Sequence, residues 1–202
     1  LLIKPTSTFD GKVWWLRGVC LSVMIILVVG GVTRLTGSGL SMVDWRPLSG
    51  VLPPIGEAAW AMEFAQYQES PQYKLVNQGM SLGEFQYIFF WEYLHRVLGR
   101  VVGLLCLIPY LWFLFRGKLD RGLKLKGGIL VLLVGAQGFM GWYMVKSGLV
   151  KNPEVSHFRL AAHLSLAFAI FGLAWWASLG LSDRTETGKS VPPIRYRNWA
   201  VV

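Results

Sequence analysis

Four apolar runs, at about 13–33, 87–115, 127–145 and 158–181, punctuate this 202-residue chain. Each is long enough to cross a bilayer, whose hydrocarbon core of roughly 30 Å takes about 20 helical residues. No water is available there to satisfy backbone N–H and C=O groups, so each run closes its own hydrogen bonds as a helix. The expected fold class is an all-α integral membrane protein, a four-helix transmembrane bundle. Composition agrees, since 53% of the residues are hydrophobic and only 15% are charged, against about 25% charged in a soluble domain.

The formal net charge of +9 follows the connections and forms no patch for nucleic acid, so no nucleic-acid partner is expected. Arg116, Lys118, Arg121, Lys124 and Lys126 crowd the connection between the second and third runs, with Asp120 alone opposing them. The long connection from Arg34 to Glu84 holds five acids and three bases. The positive-inside rule then puts both termini and the basic connection on the inner side and the first and third connections outside.

Three segments result: 1–12 as an inner-side terminus, 13–181 as the bundle, and 182–202 as an inner-side loop opening a truncated fifth helix beyond Arg195 and Arg197. The start at Leu1 and the stop at Val202 read as those of a fragment. The first run has no small-residue cleavage site and is too long for a signal peptide. Cys20 and Cys106 fall inside apolar runs, where cysteine acts as a small buried residue.

Gly37, Gly39, Pro47, Gly50, Pro53, Pro54 and Gly56 punctuate the first half of the long outer loop and forbid extended regular structure. In its second half Trp60, Phe64 and Tyr67 recur at helical spacing over 58–68, which predicts a short helix at the membrane interface. Ser81 and Glu84 form a capping-box pattern, so the second long helix is expected to begin outside the hydrocarbon.

The chemistry concentrates in Glu92-Tyr93-Leu94-His95-Arg96-Val97-Leu98-Gly99-Arg100. Ionisable groups at membrane depth are costly and mark function. His95 stands 21 residues before Arg116 and His163 stands 20 before Asp183, so both imidazoles lie roughly 30 Å from the inner boundary. Matched depth on two helices is the geometry of a bis-histidine haem site, whereas zinc needs further ligands. A lone intramembrane histidine is more often a hydrogen-bonded core residue than a ligand, and it is the pairing by depth that favours ligation. His157, before the fourth run, reads as interfacial.

Gly99 and Gly103 continue the His95 face, either leaving room for a flat macrocycle or packing helices. Arg34, Arg96, Arg100 and Arg159 fall in one layer near the outer edge and are candidates to bind haem propionates; for Arg34 and Arg159 the alternative is snorkelling to headgroups. Gln137, between Gly135 and Gly141, has either a bond across the bundle or a ligand to serve.

An ordered series of segments runs Gly30-Gly31-Val32-Thr33-Arg34-Leu35-Thr36-Gly37-Ser38-Gly39-Leu40-Ser41-Met42, Asp44-Trp45, Glu92-Tyr93-Leu94-His95-Arg96, Gln137-Gly138, Gly141-Trp142-Tyr143-Met144-Val145-Lys146-Ser147-Gly148-Leu149 and Arg159-Leu160-Ala161-Ala162-His163-Leu164. It resembles the haem A synthases, and most closely the form of proteobacteria and mitochondria, whose outer loop lacks a cysteine pair. The resemblance implies an eight-helix enzyme of two similar halves, with this chain as the amino-terminal one.

It implies an oxidoreductase acting on a CH group: one ring methyl of haem O is hydroxylated twice, and the diol loses water to give the formyl group of haem A. It also implies substrate haem in this half, held by His95 and His163, with Glu92 as the catalytic carboxylate. Haem B is expected in the other half. Haem O synthase and an electron donor or acceptor are implied partners alongside membrane lipid, and a homo-oligomer is compatible. The location implied is the bacterial inner membrane, alternatively the mitochondrial one. A b-type cytochrome that only passes electrons is the competing reading, and it gives Glu92 no task.

Overall fold

A computed structural model of the chain describes residues 10–44, 49–148 and 155–187. Among the described residues six helices follow in order: α1 (Gly11–Leu35), α2 (Glu57–Gln68), α3 (Pro71–Leu75), α4 (Leu82–Phe115), α5 (Arg121–Gly148) and α6 (His157–Thr187). A 3-10 turn occupies Ser49–Val51. No strand occurs among the described residues. Trp45 and Pro47, Leu149, residues 1–9 of the inner terminus and the expected start of a fifth helix lie outside them.

The four long helices α1, α4, α5 and α6 are long and apolar enough to span a membrane. α1 packs on α4 and α6, and α5 packs on the same two. The bundle is therefore a square, with α1 facing α5 along one diagonal and α4 facing α6 along the other. One end carries the long connection from α1 to α4 (the loop end); the other carries the short α4–α5 connection (the basic end).

Toward the basic end the core is dry and tight, with Leu16, Val19, Cys106, Leu130 and Ala174 all but inaccessible. Cys20 and Cys106 are free thiols buried within it. Pro109 has no N–H to give to the carbonyl four residues earlier, an orphan that hydrocarbon does not tolerate. That carbonyl belongs to Leu105, and the indole of Trp15 on α1 donates to it at 2.9 Å. The cost of a proline inside a spanning helix is thus offset from a neighbouring helix. Leu21, Val28, Leu104 and Leu132 stay exposed on the outside of the bundle, as lipid-facing residues must.

The helices exceed the apolar runs because amphipathic turns extend each end. α4 begins at Leu82, and the capping box forms: Ser81 Oγ accepts from the Glu84 amide and Glu84 Oε2 accepts from the Ser81 amide at 2.8 Å. Arg121, Lys124 and Lys126 belong to the first turns of α5 and not to a loop. The aromatic stripe of α2 is turned away from lipid. Trp60, Phe64 and Tyr67 pack on Phe85 and Phe89 of α4, because the early start of α4 carries Phe85 ahead of the expected apolar run with Phe89 one turn behind it.

Candidate functional site

The loop end is organised by the way α1 stops. Its last turn closes with Ser38 N donating to Thr33 O at 2.9 Å while Gly37 adopts φ 67°, a left-handed C-cap for which glycine is the ordinary residue. The reversal carries Ser41 and Met42 back over α4, onto Glu92. Glu92 is only 3% exposed. Its Oε2 accepts from Ser41 Oγ at 2.7 Å and from the Met42 amide at 2.8 Å, and its Oε1 accepts from Arg96 Nη2 at 2.5 Å.

Arg96 completes a clasp by donating to the carbonyls of Met42 at 2.9 Å and Asp44 at 3.2 Å. Four groups of the loop are thereby fixed to one turn of a spanning helix. A second tie lies nearby: Gln72 Nε2 donates to Gly37 O at 2.8 Å, and Tyr67 donates its hydroxyl to Gln72 Oε1 at 3.0 Å. Burial pushes the Tyr67 phenol above its ordinary range.

His95 on α4 and His163 on α6 occupy the diagonal helices, so their rings approach from opposite sides of the bundle axis. They are electrostatic neighbours. Each ring lies against a glycine of the other diagonal. A Cβ on Gly30 of α1 would stand 3.1 Å from His95 Nε2, and one on Gly141 of α5 would stand 3.4 Å from His163 Cε1. Two imidazoles and two glycines thus share one layer. His163 Nδ1 is buried with no hydrogen-bond partner.

Among the described residues no group of three or more His, Cys, Asp or Glu gathers to hold a bare metal ion. Two imidazoles suffice only when other donors fill the remaining positions, as the four pyrrole nitrogens of a porphyrin do. Glycine at 30 and 141 lets each imidazole lie close against the neighbouring helix. The donor set and its surroundings therefore fit haem.

The four arginines are differently occupied. Arg96 is committed to Glu92 and the loop. Arg100 donates to the Arg96 carbonyl of its own helix at 2.8 Å. Arg159, in the first turn of α6, lies over the Tyr143 ring at 4.7 Å. Arg34 is exposed in the last turn of α1. His157 opens α6 and is exposed.

Sequence reasoning missed Ser41 and Met42 as partners of Glu92 and did not single out Gly30 and Gly141 as the glycines against the imidazoles. Gly103 meets nothing within 4 Å, and a Cβ on Gly99 would meet only Ile26 of α1 at 3.7 Å.

Fold and site define a helical membrane protein with paired imidazoles near one end of its bundle. The chain belongs to the COX15-CtaA family of cytochrome oxidase assembly proteins, whose sequence profile matches residues 13–202. It is 56% identical to the heme A synthase of Nitrosospira multiformis over 83% of its own length and 47% of that protein's. It is 51% identical to the one from Nitrosomonas eutropha over 88% of this chain and 50% of the relative. Against the one from Sphingopyxis alaskensis the figures are 49%, 93% and 52%. The chain spans about half the length of these curated relatives. No solved structure matches it.

Proposed function

We propose that the chain carries the substrate-haem site of a haem A synthase, an oxidoreductase that converts one ring methyl of haem O to the formyl group of haem A. The observation that carries this is the imidazole pair, His95 and His163, on diagonally opposed helices with a glycine behind each ring. In this reading the two histidines would hold the haem iron, Arg34, Arg100 and Arg159 would be the cations for its propionates, and an external electron acceptor would take the electrons removed from the ring methyl.

The names of the relatives in Nitrosospira and Nitrosomonas support the substrate. The basic connection supports an α1–α4 loop that faces outward, and the bacterial relatives support a bacterial inner membrane. Glu92 has two compatible tasks: holding the loop over the site through Ser41, Met42 and Arg96, and moving protons released during methyl oxidation.

The chain loaded with haem is expected to show low-spin bis-imidazole absorption that His95→Ala and His163→Ala each abolish. Unchanged spectra in both variants would remove the site. Analysis of the product formed from haem O then separates an oxidising enzyme from a cytochrome that only passes electrons.

A further inference from the structure

Three buried polar atoms in the loop-end half of the bundle have no hydrogen-bond partner: Trp91 Nε1, Gln137 Oε1 and His163 Nδ1. Within a spanning region each such atom costs several kcal/mol, a cost that a bound polar group at that atom would offset. His163 belongs to the imidazole pair. The other two are assigned no task by the haem site as described above.

Their positions are ordered by depth. Gln137 is one turn from Gly141, the residue packed on His163, and shares its face of α5. It lies about 6 Å from that layer toward the basic end. Trp91 is one turn from His95 in the opposite sense, about 6 Å toward the loop end. A donor thus stands on the loop side of the histidine layer and an acceptor on the inner side.

The asymmetry matches an amphiphilic macrocycle. Carboxylates at one edge need donors, and an acceptor amide oxygen needs an O–H at the other. Haem O carries an alcohol on its hydroxyalkyl side chain, at a position where haem B has a vinyl group. We propose that Gln137 Oε1 accepts a hydrogen bond from that alcohol and so selects haem O over haem B. This rests on the reading of His95 and His163 as haem ligands. Gln137 then sets specificity without touching the iron or the oxidised methyl, and haem B leaves its buried carbonyl unpaired.

The test is an absorbance titration of the full chain in lipid nanodiscs with ferric haem O and, separately, ferric haem B. Gln137→Met keeps length and shape but removes the acceptor, and Gln137→Leu serves as a second variant. Haem O affinity should fall by roughly 10- to 100-fold in both variants, while haem B affinity stays within about threefold. An equal fall for both haems, or loss of haem B binding, would make Gln137 a packing residue and overturn the proposal. Unchanged haem O affinity in either folded variant would also overturn it. A wild-type chain that binds neither haem overturns the ligand assignment and this inference with it.

Discussion

At the scale of single residues, the Glu92–Arg96 pair sets what a carboxylate at this depth can do. Both oxygens of Glu92 are engaged, and its guanidinium partner is itself 9% exposed. Removing one member of such a pair leaves the other charge uncompensated, a loss of about 3 kcal/mol or more. Glu92→Gln and Arg96→Met should each destabilise the chain by that order, and the double variant should cost less than the sum, with a coupling of roughly 1–3 kcal/mol. Unfolding of the four proteins in detergent gives the cycle, and strictly additive effects would remove the clasp. Haem content and haem A yield measured on Glu92→Gln then separate its two tasks. Normal haem with collapsed yield points to proton transfer, and joint loss points to the clasp.

At the scale of elements, the spanning runs were legible because bilayer thickness imposes a length on them, and the capping box was legible because its two residues are three apart. The matched histidine depth was legible for the same reason: rise per residue turns a count into a distance. What could not be read were contacts that depend on a turn or on a helix neighbour. Ser41 reaches Glu92 across 51 positions only because Gly37 reverses the chain, and Trp15 serves the Leu105 carbonyl across 90. The partner of the α2 stripe was invisible because the capping box announces that α4 starts early but not which segment folds back onto its first turns. The glycines behind the imidazoles depend on the square order of the helices.

Those glycines yield a contrast within one layer. Alanine is the better helix former by roughly 1 kcal/mol, so at a position of no consequence it would stabilise. At Gly30 the new methyl would press on His95 Nε2 at 3.1 Å, whereas at Gly141 it would make ordinary contact with His163 at 3.4 Å. Gly30→Ala should therefore weaken haem binding by about tenfold or more, with loss of low-spin character in the visible spectrum, and Gly141→Ala should stay close to wild type. Equal spectra for the two variants would show that the Gly30 contact does not position His95.

At the scale of the whole molecule, cations over aromatic rings mark two belts. At the basic end Arg116 and Lys118 lie over Trp112 at 5.6 and 4.9 Å, and Lys126 lies over Trp176 at 3.7 Å. At the loop end Lys146 lies over Trp142 at 5.0 Å and Arg159 over Tyr143. Lys126 and Lys146 are 20 residues apart on α5, about 30 Å, which is one hydrocarbon thickness.

The belts fix the span but are nearly symmetric, so orientation falls to the excess of cations at the basic end. Labelling with an impermeant maleimide reads it directly, because the native thiols Cys20 and Cys106 are 4% and 0% exposed and give little background. Met62→Cys, on the exposed side of α2, should react in intact cells or right-side-out vesicles. Lys118→Cys should react only after the membrane is opened. The opposite pattern would put the loop, the Glu92 clasp and the nearby imidazoles on the inner side.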